Sequence, residues 1–115
     1  MLWHQREVEL SGVLHRIRVP LIGAVDAPVL SHELTSLLAP WWSGPAVLSP
    51  SIQVTSVVAD VQCDDLGACE LVLLVTTDAL AEDHSIVNMR MIRDLRRALR
   101  LHRLRSSAQP ELAAA

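Results

Sequence analysis

The sequence predicts an α+β fold in two layers, with a four-stranded antiparallel sheet covered on one face by two helices. The chain contains two pairs of segments with the alternation of β-hairpins, and each pair is followed by a segment with helical periodicity. Each hairpin then has one apolar face, and two helices can cover both. The chain has 115 residues, of which 50% are hydrophobic. We expect a single domain over residues 1–105 and a C-terminal tail over 106–115.

The first hairpin is predicted from strands at 3–10 and 13–21, with Ser11 and Gly12 at the tip. In that register Leu10 pairs with Val13, and the alternation separates an apolar face from a charged face. A helix over about 4–16 is the alternative, which Gly12 and the valine-rich alternation disfavour. The predicted apolar face consists of Val8, Leu10, Val13, His15, Ile17 and Val19, and the other face of Glu7, Glu9, Leu14, Arg16 and Arg18.

The first helix is predicted over 27–39, because Asp26 is a suitable N-cap and proline is favourable in the first turn. Pro40 is expected to end this helix. The segment 40–45 contains two prolines and a glycine and is expected to be a loop that carries two tryptophans. The apolar side of the helix is predicted as Leu30, Leu34, Leu37 and Leu38.

The second hairpin is predicted from strands at 52–63 and 68–77 around a three-residue turn that ends in Gly67, where a positive φ is needed. The register places many apolar residues on one face, and a shift by one residue would expose them all. The predicted pairs are Asp64 with Ala68, Cys63 with Cys69, Val61 with Leu71, Ala59 with Leu73 and Val57 with Val75.

A long second helix is predicted over 79–103, with acidic residues in its first turns and arginines in its last, as the helix dipole favours. It completes the order ββαββα, which is a permuted ferredoxin-like sandwich. The tail that follows is rich in proline and alanine and is expected to be mobile. The buried side of the helix is predicted as Val87, Met91, Leu95, Ala98 and Leu99.

The positive charge of the chain is concentrated in this second helix. Seven of the ten arginines lie between residues 90 and 105, and Asp94 is the one acidic residue among them. This segment carries a net charge of +6, so the rest of the chain carries −9 within the total of −3. Such charge separation determines which surfaces the molecule can dock against.

The arginine-rich helix has three interpretations: a phosphate-contacting surface for nucleic acid, a solvated face of a monomer, or a surface that docks onto an acidic partner. We do not expect nucleic-acid binding, because the chain as a whole is acidic and the helix must bury its other side against the sheet. The third interpretation is favoured, since the rest of this chain supplies an acidic surface itself.

We therefore predict a non-catalytic subunit that assembles with itself, head-to-tail, and with other assembly proteins. The arginines of one copy would contact acidic residues of the next, such as Glu7, Glu9, Asp64, Asp65 or Glu70. Tryptophan and arginine are enriched at interface hot spots. Burial of both tryptophans at the open end of the sandwich is the alternative. The predicted interface residues are Trp41, Trp42, Arg90, Arg93, Arg97 and Arg100.

The two cysteines and five histidines do not predict a metal or cofactor site. Cys63 and Cys69 face each other across a hairpin, where a disulfide or half of a metal site is an alternative to two small hydrophobic side chains. We expect two small hydrophobic side chains, because disulfides are rare in a reducing cytoplasm. The histidines lack ligand spacing, so no metal ligand and no cofactor is predicted.

An enzyme is not expected either, because no pair of a nucleophile and a base can be assembled from the candidate residues. The alternative is a small cofactor-free lyase or isomerase that uses His15 or His84 as its base. No apolar run approaches the roughly 20 residues of a membrane span. We expect the protein in the cytoplasm, or within a virion or other assembly.

Two resemblances concern the strand ELVLLV, the residues Ala81-Glu82-Asp83-His84-Ser85-Ile86 and the long helix that follows. This passage resembles small head–tail joining and tail-terminator proteins of tailed phages, which implies a ring-forming assembly protein. It is also similar to the cytoplasmic domain of cation diffusion facilitators, which implies a ferredoxin-like dimer and a metal role for His84. The alternative function is therefore a small metal- or nucleic-acid-binding regulatory module.

Overall fold

The computed structural model has the predicted α+β two-layer architecture. Its strands form an antiparallel sheet in the order β1-β2-β4-β3, and the helices pack on it. The structure describes residues 3–9, 12–23, 25–42, 53–78, 89–105 and 111–112. The elements are β1 (Trp3–Glu9), β2 (Gly12–Ile22), α1 (Ala27–Trp42), β3 (Val54–Cys63), β4 (Cys69–Thr77), α2 (Met89–Arg105) and β5 (Glu111–Leu112).

The β3–β4 hairpin has the predicted register. Cys63 lies opposite Cys69, and the pairs continue along the strands to Val57 and Val75. The backbone N–H of Asp64 donates to the carbonyl of Ala68 at 2.9 Å, which closes the turn. Gly67 has a φ of 85°, as the turn requires. The buried residues of this hairpin are Val54, Val57, Ala59, Val61, Leu71, Val72, Leu73, Val75 and Thr77.

The β1–β2 hairpin has a different register from the predicted one. Glu9 pairs with Gly12 and Val8 with Val13, so the register is shifted by two residues and the residues 10 and 11 between the strands lie outside the described part. An even shift leaves each residue on its predicted face, and the four residues of β2 on the apolar face are buried. Val8 is 72% exposed, because β1 is an edge strand that contacts β2 alone among the described elements.

Gly12 lies within β2 and not at a turn tip because of a long-range contact. Its φ is 148°, and a Cβ atom at this position would collide with the backbone carbonyl oxygen of Thr77 at the end of β4. The close approach of two backbones therefore requires glycine here. This requirement explains why the predicted tip at Ser11 and Gly12 was wrong.

Helix α1 begins as predicted but continues through Pro40. The Asp26 carboxylate accepts a hydrogen bond from the N–H of Val29 at 3.3 Å, as an N-cap does. Proline removes one backbone hydrogen bond within a helix, yet α1 extends to Trp42. Trp42 follows Leu30, Leu34 and Leu38 at a spacing of four residues, and all four side chains are fully buried. Packing of this tryptophan offsets the lost hydrogen bond.

Two hydroxyl groups of α1 bind the backbone of β3 at the edge of the sheet. Because Asp64 and Ala68 form a hydrogen-bonded pair, the N–H groups of Ala59 and Val61 point away from β4. The Ala59 N–H donates to Oγ1 of Thr35 at 2.9 Å, and the Val61 N–H donates to Oγ of Ser31 at 2.8 Å. Helix α1 therefore satisfies edge groups that would otherwise be open to another strand.

Helix α2 begins at Met89, and the predicted residues 79–88 of this helix, including Val87, lie outside the described residues. Met91, Leu95, Ala98 and Leu99 are buried as predicted. His102 extends the same side by one turn and is 1% exposed.

The expected mobility of the tail is wrong for residues 111–112, which form β5. They pair with Ile22 and Leu21 of β2. Strand β1 begins at Trp3 opposite Arg18, and β5 pairs with the last residues of β2 beyond that position. The division into a 1–105 domain and a 106–115 tail stays a prediction.

Candidate protein–protein interface

Four arginines of α2 are exposed on the side opposite the core. With about 100° between successive residues of a helix, Arg93 and Arg100 lie almost directly across from Met91, Leu95 and His102, and Arg96 and Arg97 lie on either side of them. Arg90 belongs to the first turn, but its side chain lies outside the described part. We call the exposed set the arginine face: Arg93, Arg96, Arg97 and Arg100.

The arginine face meets the end of α1 through Trp41. The guanidinium of Arg97 lies over the Trp41 ring, 4.7 Å from its centroid, at a distance typical of a cation–π interaction. Trp41 is partly buried and packs against the core. One predicted tryptophan therefore does border the arginines and remains partly accessible.

Trp42 does not contribute to this surface. Its side chain is fully buried, and its Nε1–H donates to Oδ2 of Asp94 at 3.0 Å. The prediction of Trp42 as an interface anchor is therefore corrected: this residue joins the helices inside the monomer. Asp94, the one acid among the arginines, is the hydrogen-bond acceptor for this tryptophan.

The arginine face does not stabilise its own helix. Arg93 and Arg97 stand four residues apart, as do Arg96 and Arg100. Like charges at this spacing destabilise a helix by about 0.2–0.5 kcal/mol per pair. The helix dipole acts over the last turn only, and these residues precede that turn. Within the described residues, the side chains of Arg93, Arg96 and Arg100 form no hydrogen bond or ion pair.

Glu70 is a weaker candidate for the complementary acidic surface than predicted. Its Oε1 accepts hydrogen bonds from Nη2 of Arg18 at 2.6 Å and from Nε at 3.0 Å. This hydrogen bond and the charge of Glu70 raise the pKa of Arg18 further above its ordinary value. An acid that is already paired within the monomer has less to gain from arginines of another copy.

The tip of the β3–β4 hairpin carries the acids that the prediction placed there. Asp64 Oδ1 accepts the backbone N–H groups of Leu66 and Ala68, both at 2.9 Å, so this residue shapes the turn. Asp65 is exposed and makes no hydrogen bond or ion pair with its side chain in the described part. The same holds for Glu7 on the other hairpin, while the side chain of Glu9 lies outside the described part.

A disulfide joins Cys63 and Cys69, with a Cα–Cα distance of 4.0 Å. The predicted pairing is confirmed, but the interpretation of both residues as small core hydrophobes is wrong. Cys63 is exposed and Cys69 is partly buried against the core, two residues along each strand from the buried pair of Val61 and Leu71. The bond clamps the base of the hairpin tip.

Sequence reasoning missed a buried pair between the helices. His102 Nδ1 lies 2.8 Å from Oε2 of Glu33, and the side chains are 1% and 19% exposed. His102 Nε2 is buried and has no hydrogen-bond partner in the described part. The spacing of the apolar residues of α2 indicates which way His102 points, but nothing in the sequence indicates that Glu33 faces it.

The histidines named for an enzyme alternative give no active-site geometry in the described residues. His15 is fully buried, and its Nε2 lies 3.1 Å from Oγ1 of Thr77. His84 lies outside the described part of the chain. The absence of catalysis stays a prediction.

Within the described ranges, no group of three or more His, Cys, Asp and Glu residues could hold a metal ion. Among the same residues, neither helix has the length and apolar character needed to cross a membrane.

Comparison of the chain with protein-family models, with curated proteins and with solved structures gives no match.

Proposed function

We propose that this protein is a non-catalytic subunit of a homo-oligomer or larger complex, held together by contacts of the arginine face with acidic residues of the next copy. The observation that carries the proposal is the arginine face itself. Four exposed arginines lie opposite the buried side of α2, and three of them form no hydrogen bond or ion pair among the described residues. Arginine is enriched at protein interfaces, where its planar fork binds carboxylates.

The contact is head-to-tail and not symmetric. If the arginine face lay on the twofold axis of an isologous contact, the arginines of the two copies would face each other and repel. A contact between two different patches avoids this repulsion. Repeated head-to-tail contacts close a ring or extend a tube, which is the geometry of a phage-type head–tail joining or tail-terminator ring.

The disulfide between Cys63 and Cys69 bears on the location of such an assembly. Disulfides persist in oxidising surroundings and on virion surfaces and are rare in reducing cytoplasm. Of the two predicted locations, the assembled particle therefore fits the disulfide better.

A regulatory module that binds nucleic acid is the second candidate, because exposed arginines also contact phosphates. The metal-binding form of this candidate gains no support from the described residues, in which no ligand cluster occurs. The two candidates differ in whether the arginine face meets protein or nucleic acid.

The experiment compares the mass in solution of the native chain with that of Arg93→Gln/Arg100→Gln at low salt. Arg16→Gln is the matched control, because it removes an arginine from the sheet. We expect oligomers for the native chain and the control, and a single chain for the double variant. Oligomers of the double variant equal to those of the native chain would refute the role of the arginine face. A native monomer that binds DNA or RNA through these arginines would favour the second candidate.

A further inference from the structure

The two most exposed large apolar side chains of the described residues are both leucines. Leu66 is 94% exposed at the β3–β4 turn, and Leu104 is 77% exposed near the end of α2. Single exposed apolar residues are ordinary on a surface. Here, however, one leucine lies among acids and the other among arginines, and this pairing calls for an explanation.

Leu66, the leucine at the turn, belongs to a well-defined acidic turn. Asp64 and Asp65 precede Leu66 in the sequence. The disulfide between Cys63 and Cys69 joins the two ends of this turn, and the backbone N–H of Gly67 donates to the carbonyl of Asp64 at 3.1 Å. A segment fixed in this way loses little conformational entropy when it binds. We call residues 63–69 the acidic tip.

The leucine on α2 continues the arginine face. Leu104 stands four residues after Arg100 and eleven after Arg93, which places all three on one stripe of the helix. Leu101, three residues before Leu104, is partly buried next to this stripe. The surface therefore offers positive charge along two turns and an apolar contact at one end.

We propose that the acidic tip of one copy docks on the arginine face of the next, with Leu66 against the Leu104 end. The occupant is a second copy of this chain, and the argument for it is complementarity of charge together with one exposed leucine on each side. Asp65 is the acid that binds the arginines, since Asp64 Oδ1 already accepts two backbone hydrogen bonds within the turn. This inference rests on the proposed function and names the missing half of its contact.

The test mixes two variants that each lack one half of the contact. Asp65→Arg/Leu66→Asp has a defective tip and an intact arginine face, while Arg93→Gln/Arg100→Gln has an intact tip. Each variant alone is expected to have the mass of one chain. Mixed in equal amounts, they are expected to form a 1:1 complex that grows no further, because only one intact tip meets one intact face.

The outcomes separate this inference from the proposed function. If the tip variant alone assembles as the native chain does while the arginine variant does not, the tip is not the docking element and the arginine face keeps its role. If both variants are monomeric but do not combine on mixing, the head-to-tail pairing of tip and face is refuted. Far-ultraviolet circular dichroism of each variant, unchanged from that of the native chain, shows that a lost complex is not a loss of folding.

Discussion

Polar residues of α1 and the exposed arginines of α2 are used in opposite ways. In α1, Ser31 and Thr35 bind the backbone of β3, and Glu33 binds the buried His102 of α2. In α2, the arginines opposite the core point into solvent, and Arg97 alone among the arginine face has a described contact, with the Trp41 ring.

This difference separates residues that hold the fold from residues that are available to a partner. Polar groups of α1 satisfy buried or edge groups, and their removal leaves a donor or acceptor without a partner. The side chains of Arg93, Arg96 and Arg100 add repulsion and no hydrogen bond within the described residues, so their removal is not expected to destabilise the monomer. Variants that remove groups of the first kind are expected to lose more stability than variants that remove groups of the second.

Replacement of Trp42 by alanine should have the largest effect. The side chain fills the core at the end of α1 and donates a hydrogen bond to Asp94. We expect Trp42→Ala to lower the free energy of unfolding by about 3–5 kcal/mol. Urea denaturation measures this change. Trp41→Ala is the matched control, for which we expect a loss of about 1 kcal/mol, mainly from the contact with Arg97. Equal losses for the two variants would contradict the different placement of the two tryptophans.

Replacement of Glu33 by alanine should destabilise the junction of the helices. Without this carboxylate, the buried Nδ1 of His102 loses its partner, and we expect a loss of about 1–3 kcal/mol in the free energy of unfolding. Glu33→Gln keeps an acceptor in place and should lose less. The mass of the folded oligomer should stay unchanged for both variants. An alanine variant as stable as the native chain would show that the pair is not structural.

Replacement of Thr35 by valine should expose the N–H of Ala59 at the edge of β3. Threonine and valine have nearly the same shape, so the change only replaces the hydroxyl with a methyl group. We expect the free energy of unfolding to fall by about 1 kcal/mol. Hydrogen exchange at Ala59 should accelerate as well, while exchange at Val58, which bonds to β4, should change less. Ser36→Ala, at an exposed position of the same helix, is the control. Unchanged exchange at Ala59 would mean that α1 does not protect this edge.

Replacement of arginines on the arginine face should have the smallest effect on stability and the largest on assembly. For Arg93→Gln/Arg100→Gln we expect a free energy of unfolding within about 0.5 kcal/mol of the native value, or slightly higher, because like-charge pairs are removed. Thermal unfolding measured at a concentration where the native chain is monomeric checks this expectation. A clear loss of stability in the monomer would assign the arginines a structural role.

The sequence predicts the fold class and the β3–β4 hairpin well, because nearly every second residue of that hairpin is apolar and a shifted register would expose them. The predicted β1–β2 register was wrong by two residues. In β1, Val8 is the one apolar residue whose side chain is described, so little in this strand specifies the register. Glycine is needed at position 12 because of the close approach of Thr77, which is distant in the sequence. Such a contact has no local signal.

The candidate interface was predicted in part for a similar reason. Helical periodicity indicates that Arg93, Arg97 and Arg100 face away from the core, and the structure agrees. The burial of Trp42 depends on α1 passing through Pro40, where tertiary packing overrides the local preference of proline. The predicted pairing of Cys63 with Cys69 allows either a disulfide or two separate thiols, and the sequence pattern does not distinguish them.

The mass of the native chain in solution as a function of salt tests the central claim most directly. Screening shortens the range of charge interactions from about 30 Å at 0.01 M salt to about 3 Å at 1 M salt. We predict oligomers at low salt that dissociate as sodium chloride is raised, measured by sedimentation equilibrium at constant protein concentration. A chain that is a monomer at every salt concentration, or an oligomer whose mass does not change with salt, would contradict assembly through the arginine face.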